Sequence, residues 1–95
     1  MHQWKTTAHL EVHFSDLGRL LRCRSEEEFD ASAQETMTLG VAFTYRDRIT
    51  GLPRMGYFHR DTSRFVGLDV DGRILTHFRA AEDYVADLPY STYKE

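Results

Sequence analysis

Hydrophobic residues along this chain keep two different periods. Between residues 6 and 22, TTAHLEVHFSDLGRLLR, the residues Leu10, Phe14, Leu17 and Leu21 fall at spacings of four, three and four. That is the stripe of an amphipathic helix, with Thr6 or Thr7 as N-cap. Gly18 either ends this helix early or is tolerated within it. Ser25-Glu26-Glu27-Glu28 has the form of a capping box, with acidic residues in the first turn where the helix dipole favours them. Phe29, Ala33 and Met37 continue a second helix, which Gly40 closes.

The period changes at Val41. Val41, Phe43 and Tyr45 alternate with Ala42, Thr44 and Arg46, the pattern of a first strand. Residues 47–53 form a loop with Gly51 and Pro53 as breakers. Three further strands are expected at 54–60, 64–70 and 73–79, separated by Arg60-Asp61-Thr62-Ser63 and Asp71-Gly72. Asp-Gly between apolar runs signals a tight hairpin with positive φ at both central positions. In the last strand, Ile74, Thr76 and Phe78 are expected on one face and Arg73, Leu75, His77 and Arg79 on the other. AAEDYVADL predicts a short helix ended by Pro89, and residues 90–95 read as a loose tail. The expected fold is a single α+β domain. Two N-terminal helices (6–39) pack on a four-stranded antiparallel β-meander (41–79), followed by a short C-terminal helix and tail (80–95).

Composition narrows the function classes. Ninety-five residues leave room for one core. No apolar run approaches the roughly 20 residues of a membrane span. MHQWKTTAHLEVH lacks the apolar core of a signal peptide, so a cytoplasmic location is expected. A single cysteine, Cys23, excludes an internal disulfide and a Cys-pair zinc site. The net charge of -3 argues against a generic nucleic-acid binder, but the charge is uneven. Residues 43–80 hold seven arginines (46, 48, 54, 60, 64, 73 and 79) against four aspartates, so the predicted sheet is basic. Arginine's planar fork suits phosphate, while the plain reading is a sheet with ordinary surface charge.

Two clusters carry candidate chemistry. His9 and His13 are four apart and share a helical face. HLEVH is not the metalloprotease HExxH, because Glu11 stands third where that motif needs it second. The pair reads as helix-surface residues, as two ligands of a metal without a visible third, or as an acid–base couple. Thr76, His77 and Arg79 form the second cluster. An inward Thr76 needs a hydrogen-bond partner, which a helix histidine would supply; equally, threonine is a good strand residue. Arg60, Arg64 and Arg73 are the candidates for phosphate contact, with solvated surface arginines as the bland account. Cys23 lies between Arg22 and Arg24, which would lower its pKa if it were more than structural.

Taken in order, the residues resemble a family. His-x-x-x-His leads to a Ser-x-x-Glu-Phe helix with Ala33. Phe58, Thr62-Ser63-Arg64-Phe65-Val66-Gly67, Asp71-Gly72-Arg73-Ile74 and Thr76-His77-Phe78-Arg79 then follow. The series resembles the small RNase domains at the C-termini of bacterial polymorphic and contact-dependent inhibition toxins, the barnase/EndoU/colicin/RelE-like group. Those domains read H-x-x-x-H-G, Y-x-x-x-A, Y-D-P-x-T-N-x-F-x-V and D-G-x-I-x-T-x-F. Phe14 stands where they have glycine, and Phe58-His59-Arg60 where they have Tyr-Asp-Pro. The resemblance implies helices on a curved sheet and metal-independent cleavage of RNA, tRNA included, by attack of the 2′-OH on the adjacent phosphate. It requires no cofactor and no metal. RNA would be the substrate, a neutralising immunity or antitoxin protein the partner, and no membrane is involved. His9, His13 and Thr76 match motif positions; His77 and Arg79 follow from their place on the last strand. The rival readings are a non-catalytic RNA- or protein-binding module using the arginine face, and an assembly protein whose sheet edge pairs. Convergence of His9, His13, Thr76 and an arginine in one pocket favours the enzyme; scattered histidines favour the rivals.

Overall fold

Local capping sets where the helices begin. In the computed structural model, which describes residues 2–18 and 21–94, helix α1 spans Thr7–Leu17 and α2 spans Glu26–Leu39. Thr6 is the N-cap of α1, its hydroxyl accepting from His9 N–H at 3.1 Å. Ser25 caps α2 by accepting from Glu28 N–H, and the Glu28 carboxylate reaches back to Arg24 N–H at 3.1 Å. Of the longer helical stripe, Arg19 and Leu20 lie outside the described residues, and Leu21 is buried beyond the end of α1. Gly18 is the C-cap.

The strands are β1 (Val41–Arg46), β2 (Pro53–His59), β3 (Arg64–Leu68) and β4 (Ile74–Arg79). They form an antiparallel sheet in sequence order, and a short helix α3 (Glu82–Ala86) follows. The α+β reading therefore holds. β3 is buried from Phe65 through Leu68 because both faces of the sheet are covered. On one face, α2 packs Ala33 and Met37 onto Val66, Leu68 and Ile74, and Phe29 lies against His77. On the other, Phe43, Phe58 and Phe65 meet Ala80, Val85, Leu88 and Tyr93 of the C-terminal segment.

Two expectations are corrected. Thr76 pairs with Gly67 but Ile74 pairs with Leu68, so Leu75 is an extra residue in β4. One inserted residue reverses the alternation. Ile74 consequently faces the helices with His77, while Thr76 and Phe78 face the C-terminal segment. The Asp71-Gly72 turn also differs from a two-residue primed turn. Only Gly72 has positive φ (82°), Gly72 N–H bonds Asp69 C=O, and Asp69 N–H bonds Arg73 C=O. This is the longer type I plus glycine-bulge form, which leaves Arg73 in the turn rather than on the strand.

Both sheet edges are strapped by the ends of the chain. Ile74 exchanges backbone hydrogen bonds with Gln3 and Lys5 on the β4 side. On the β1 side, Thr92 N–H bonds Thr44 C=O and Arg46 N–H bonds Pro89 C=O. The tail expected to be loose is thus fixed as far as Tyr93, whose hydroxyl donates to Glu82 at 2.8 Å. The junction of α2 and β1 is equally tight. A Cβ at Gly40 would lie 2.5 Å from the Thr36 carbonyl oxygen and 2.9 Å from the Phe58 backbone. Backbone cannot step aside as a side chain can, so Gly40→Ala is expected to destabilise by about 2 kcal/mol in urea denaturation. An unchanged midpoint would show that this junction can open.

Candidate functional site

The loop leaving α1 makes an unusual turn. Cys23 N–H bonds Gly18 C=O at 2.9 Å while Arg22 sits at φ 60°. This bond closes the link between α1 and α2 around a left-handed residue, a position that normally takes glycine. Here it carries an arginine, at a conformational cost of about 1 kcal/mol. Leu21, just before it, is buried and directs its carbonyl at Arg64.

Arg64 begins β3 and lies directly opposite Arg79 at the end of β4. Like charges facing each other across a strand pair are destabilising. Arg64 is nevertheless fixed: Nη1 donates to Ser32 Oγ at 2.7 Å and Nη2 to Leu21 C=O at 3.0 Å. Behind it stands His77, fully buried. His77 Nδ1 lies 2.9 Å from Phe65 C=O and Nε2 lies 2.9 Å from Ser32 Oγ. A carbonyl only accepts, so Nδ1 carries the proton, Nε2 accepts from the Ser32 hydroxyl, and Ser32 in turn accepts from Arg64. Burial, more than any other influence, pushes His77 down to about 4, and the Arg64 charge adds to this. His77 is therefore a neutral part of the scaffold, out of reach of solvent.

Leu21, Arg22, Thr62, Arg64 and Arg79 together line a cavity of about 290 Å³. Three of its five lining residues are arginines and none is acidic. A lining of this composition suits an anion.

The other predicted residues lie elsewhere. His9 and His13 share a separate depression with Thr6, Ala8 and Val12, their ring centroids 6.3 Å apart. His9 Nδ1 is 2.8 Å from the Thr6 hydroxyl. His13 is held below its ordinary value, first by burial and then by the neighbouring His9. The histidine depression and the arginine cavity have no lining residue in common. Thr76 faces the opposite side of the sheet, so it does not meet His9 or His13. Arg60 pairs with Glu82 at 3.3 Å and Arg73 with Asp71 at 3.7 Å, the latter at the far end of the β3–β4 hairpin. Of the predicted set, Arg64 and Arg79 meet in the cavity and His9 and His13 in their own depression, but the two pairs do not come together. Cys23 is not lowered by its flanking arginines: burial pushes the thiol up, with Arg64 as the opposing cation, in keeping with a structural cysteine. Arg22, Ser32 and Thr62 are the members that sequence reasoning missed. Arg22 carried no signal of its role, since it ends the stretch 6–22 that reads as the first helical stripe.

Among the described residues no three His, Cys, Asp or Glu side chains come together as a metal-ligand set, and no helix is long and apolar enough to cross a membrane. Comparison with protein families, with characterised proteins and with solved structures finds no match to this chain.

Proposed function

We propose that this domain is an RNA-binding module that grips phosphate in the Arg22–Arg64–Arg79 cavity. The observation carrying the reading is that Arg22, Arg64 and Arg79 line one cavity with no acidic residue in its lining, the Arg64 guanidinium being fixed by Ser32 and Leu21. Such forks match phosphate oxygens, and a preset guanidinium loses less freedom on binding. The resemblance to toxin RNases supplies RNA as the phosphate's bearer.

A second reading, metal-independent endoribonuclease, is favoured by one observation: the His9 and His13 rings lie in one shared depression. An acid and a base are what 2′-OH attack needs. Against it, neither Thr76 nor an arginine joins them there.

Single-stranded RNA binding followed by fluorescence anisotropy across salt separates the two, with product analysis in EDTA alongside. For the binding module, affinity falls with salt and Arg79→Gln lowers the logarithmic slope by about 0.7, one phosphate contact on a single strand. RNA stays intact. Ends bearing 2′,3′-cyclic phosphate that disappear in His13→Gln would establish the nuclease instead. Salt-independent or absent binding would remove RNA altogether.

A further inference from the structure

We infer that the cavity takes the terminal phosphomonoester of an RNA end rather than an internal phosphodiester, an inference that rests on the RNA reading above. The distribution of positive charge carries it. A protein that tracks an RNA backbone needs a line of free cations and aromatic faces for the bases. The arginines of residues 43–80 do not form such a line. Arg54, Arg60 and Arg73 are held by Asp69, Glu82 and Asp71. Arg46 bonds Gly51 C=O and lies against Tyr90, while Arg48 lies over Tyr84. Among the described residues only Arg64 and Arg79 of that segment lack an acidic or aromatic partner, and Arg22 joins them from the α1–α2 link.

Within residues 43–80 the charge without an acidic or aromatic partner is therefore concentrated at one point, with no aromatic residue in the lining to hold a base. An internal diester offers one negative charge and two free oxygens, and both of its ester arms must leave the site. A monoester carries about -1.5 to -2 at neutral pH and presents three oxygens. Three guanidiniums match the second ligand better. Arg22 adds weight: it lines this cavity from a backbone conformation that favours glycine.

The test uses the intact chain and one short RNA sequence made with a 5′-phosphate, with a 3′-phosphate, or with hydroxyls at both ends. One phosphorylated form is expected to bind at least about tenfold tighter than the hydroxyl form, the scale of one charge-assisted contact. Which form binds identifies the end. Arg22→Gly is expected to abolish that difference without lowering the unfolding midpoint, since glycine suits the backbone there. Equal affinities for all three RNAs would overturn the terminal-phosphate assignment while leaving RNA binding in place. No binding to any RNA would overturn the RNA reading itself. A phosphoserine peptide bound as tightly as the RNA end would show that the site reads phosphate on protein, which also overturns the assignment.

Discussion

Replacing Arg64 with Met is expected to abolish phosphate binding and to destabilise the fold by roughly 3 kcal/mol. The two effects have separate origins. Binding fails because the one fixed guanidinium of the cavity is gone. Stability falls because the Leu21 carbonyl loses its donor and Ser32 loses the charged group it accepts from. Hydrogen bonds to charged groups contribute about 1.5–3 kcal/mol each, and two are removed. Relief of the repulsion from Arg79 offsets part of that loss. Arg64→Lys keeps the charge, but a single ammonium cannot span both acceptors as a fork does, so it should fall between Met and the native residue. Arg79, exposed at the end of β4, gives the contrast: Arg79→Gln should weaken binding with little change in melting. Urea denaturation and anisotropy on the same samples check both. If Arg64→Met melts like the native protein, the Arg64–Ser32–Leu21 arrangement does not hold the loop.

Acidification supplies the second large effect. His77 takes up a proton near its ordinary 6.5 when unfolded, but only near 4 in the folded protein. Between those values the unfolded chain binds more protons, so stability rises with pH. The contribution is fully present above about 6.5, declines as pH falls through the interval, and is lost by about 4. Its full size is about 3 kcal/mol. His13, also lowered, acts in the same direction. Asp47, Asp69 and Asp71 are lowered from 3.8, so their losses begin only at about pH 5 and fall mostly below this window. His77→Gln fills similar space and does not titrate. Its urea midpoint should be lower than native at pH 7 and flatter between pH 6.5 and 4.5. A native protein whose stability is level across that interval would mean that His77 titrates freely.

The order of elements was legible because its signals are local. Thr6 and Ser25 cap as their sequence suggests, and the apolar spacing changes period at Val41, where β1 begins. The faces of β4 were not legible, because a single unpaired residue, Leu75, sends Ile74 and Thr76 to opposite sides. Nothing in ILTHFR marks that bulge; it arises from pairing with β3. The candidate site was half legible. Arg64 and Arg79 stood out as sheet arginines, but their meeting with Arg22 joins residues 42 and 57 positions apart in the chain. His77 was a catalytic candidate by its place on the last strand, and an ordinary histidine titrates near neutrality. Burial against Phe29, with both ring nitrogens occupied, takes that property away.

The straps on the sheet edges also set a timetable for synthesis. β1 is complete at Arg46, yet the residues that cover its outer edge are Pro89 and Thr92. At ~5–20 residues per second, several seconds of translation separate the two. Until then the unpaired Thr44 and Arg46 backbone groups are open to any strand nearby, including one on a neighbouring nascent chain. Crowded translation of one message should therefore favour strand exchange through β1 before release, a hazard that refolding the finished chain at low concentration would not reveal.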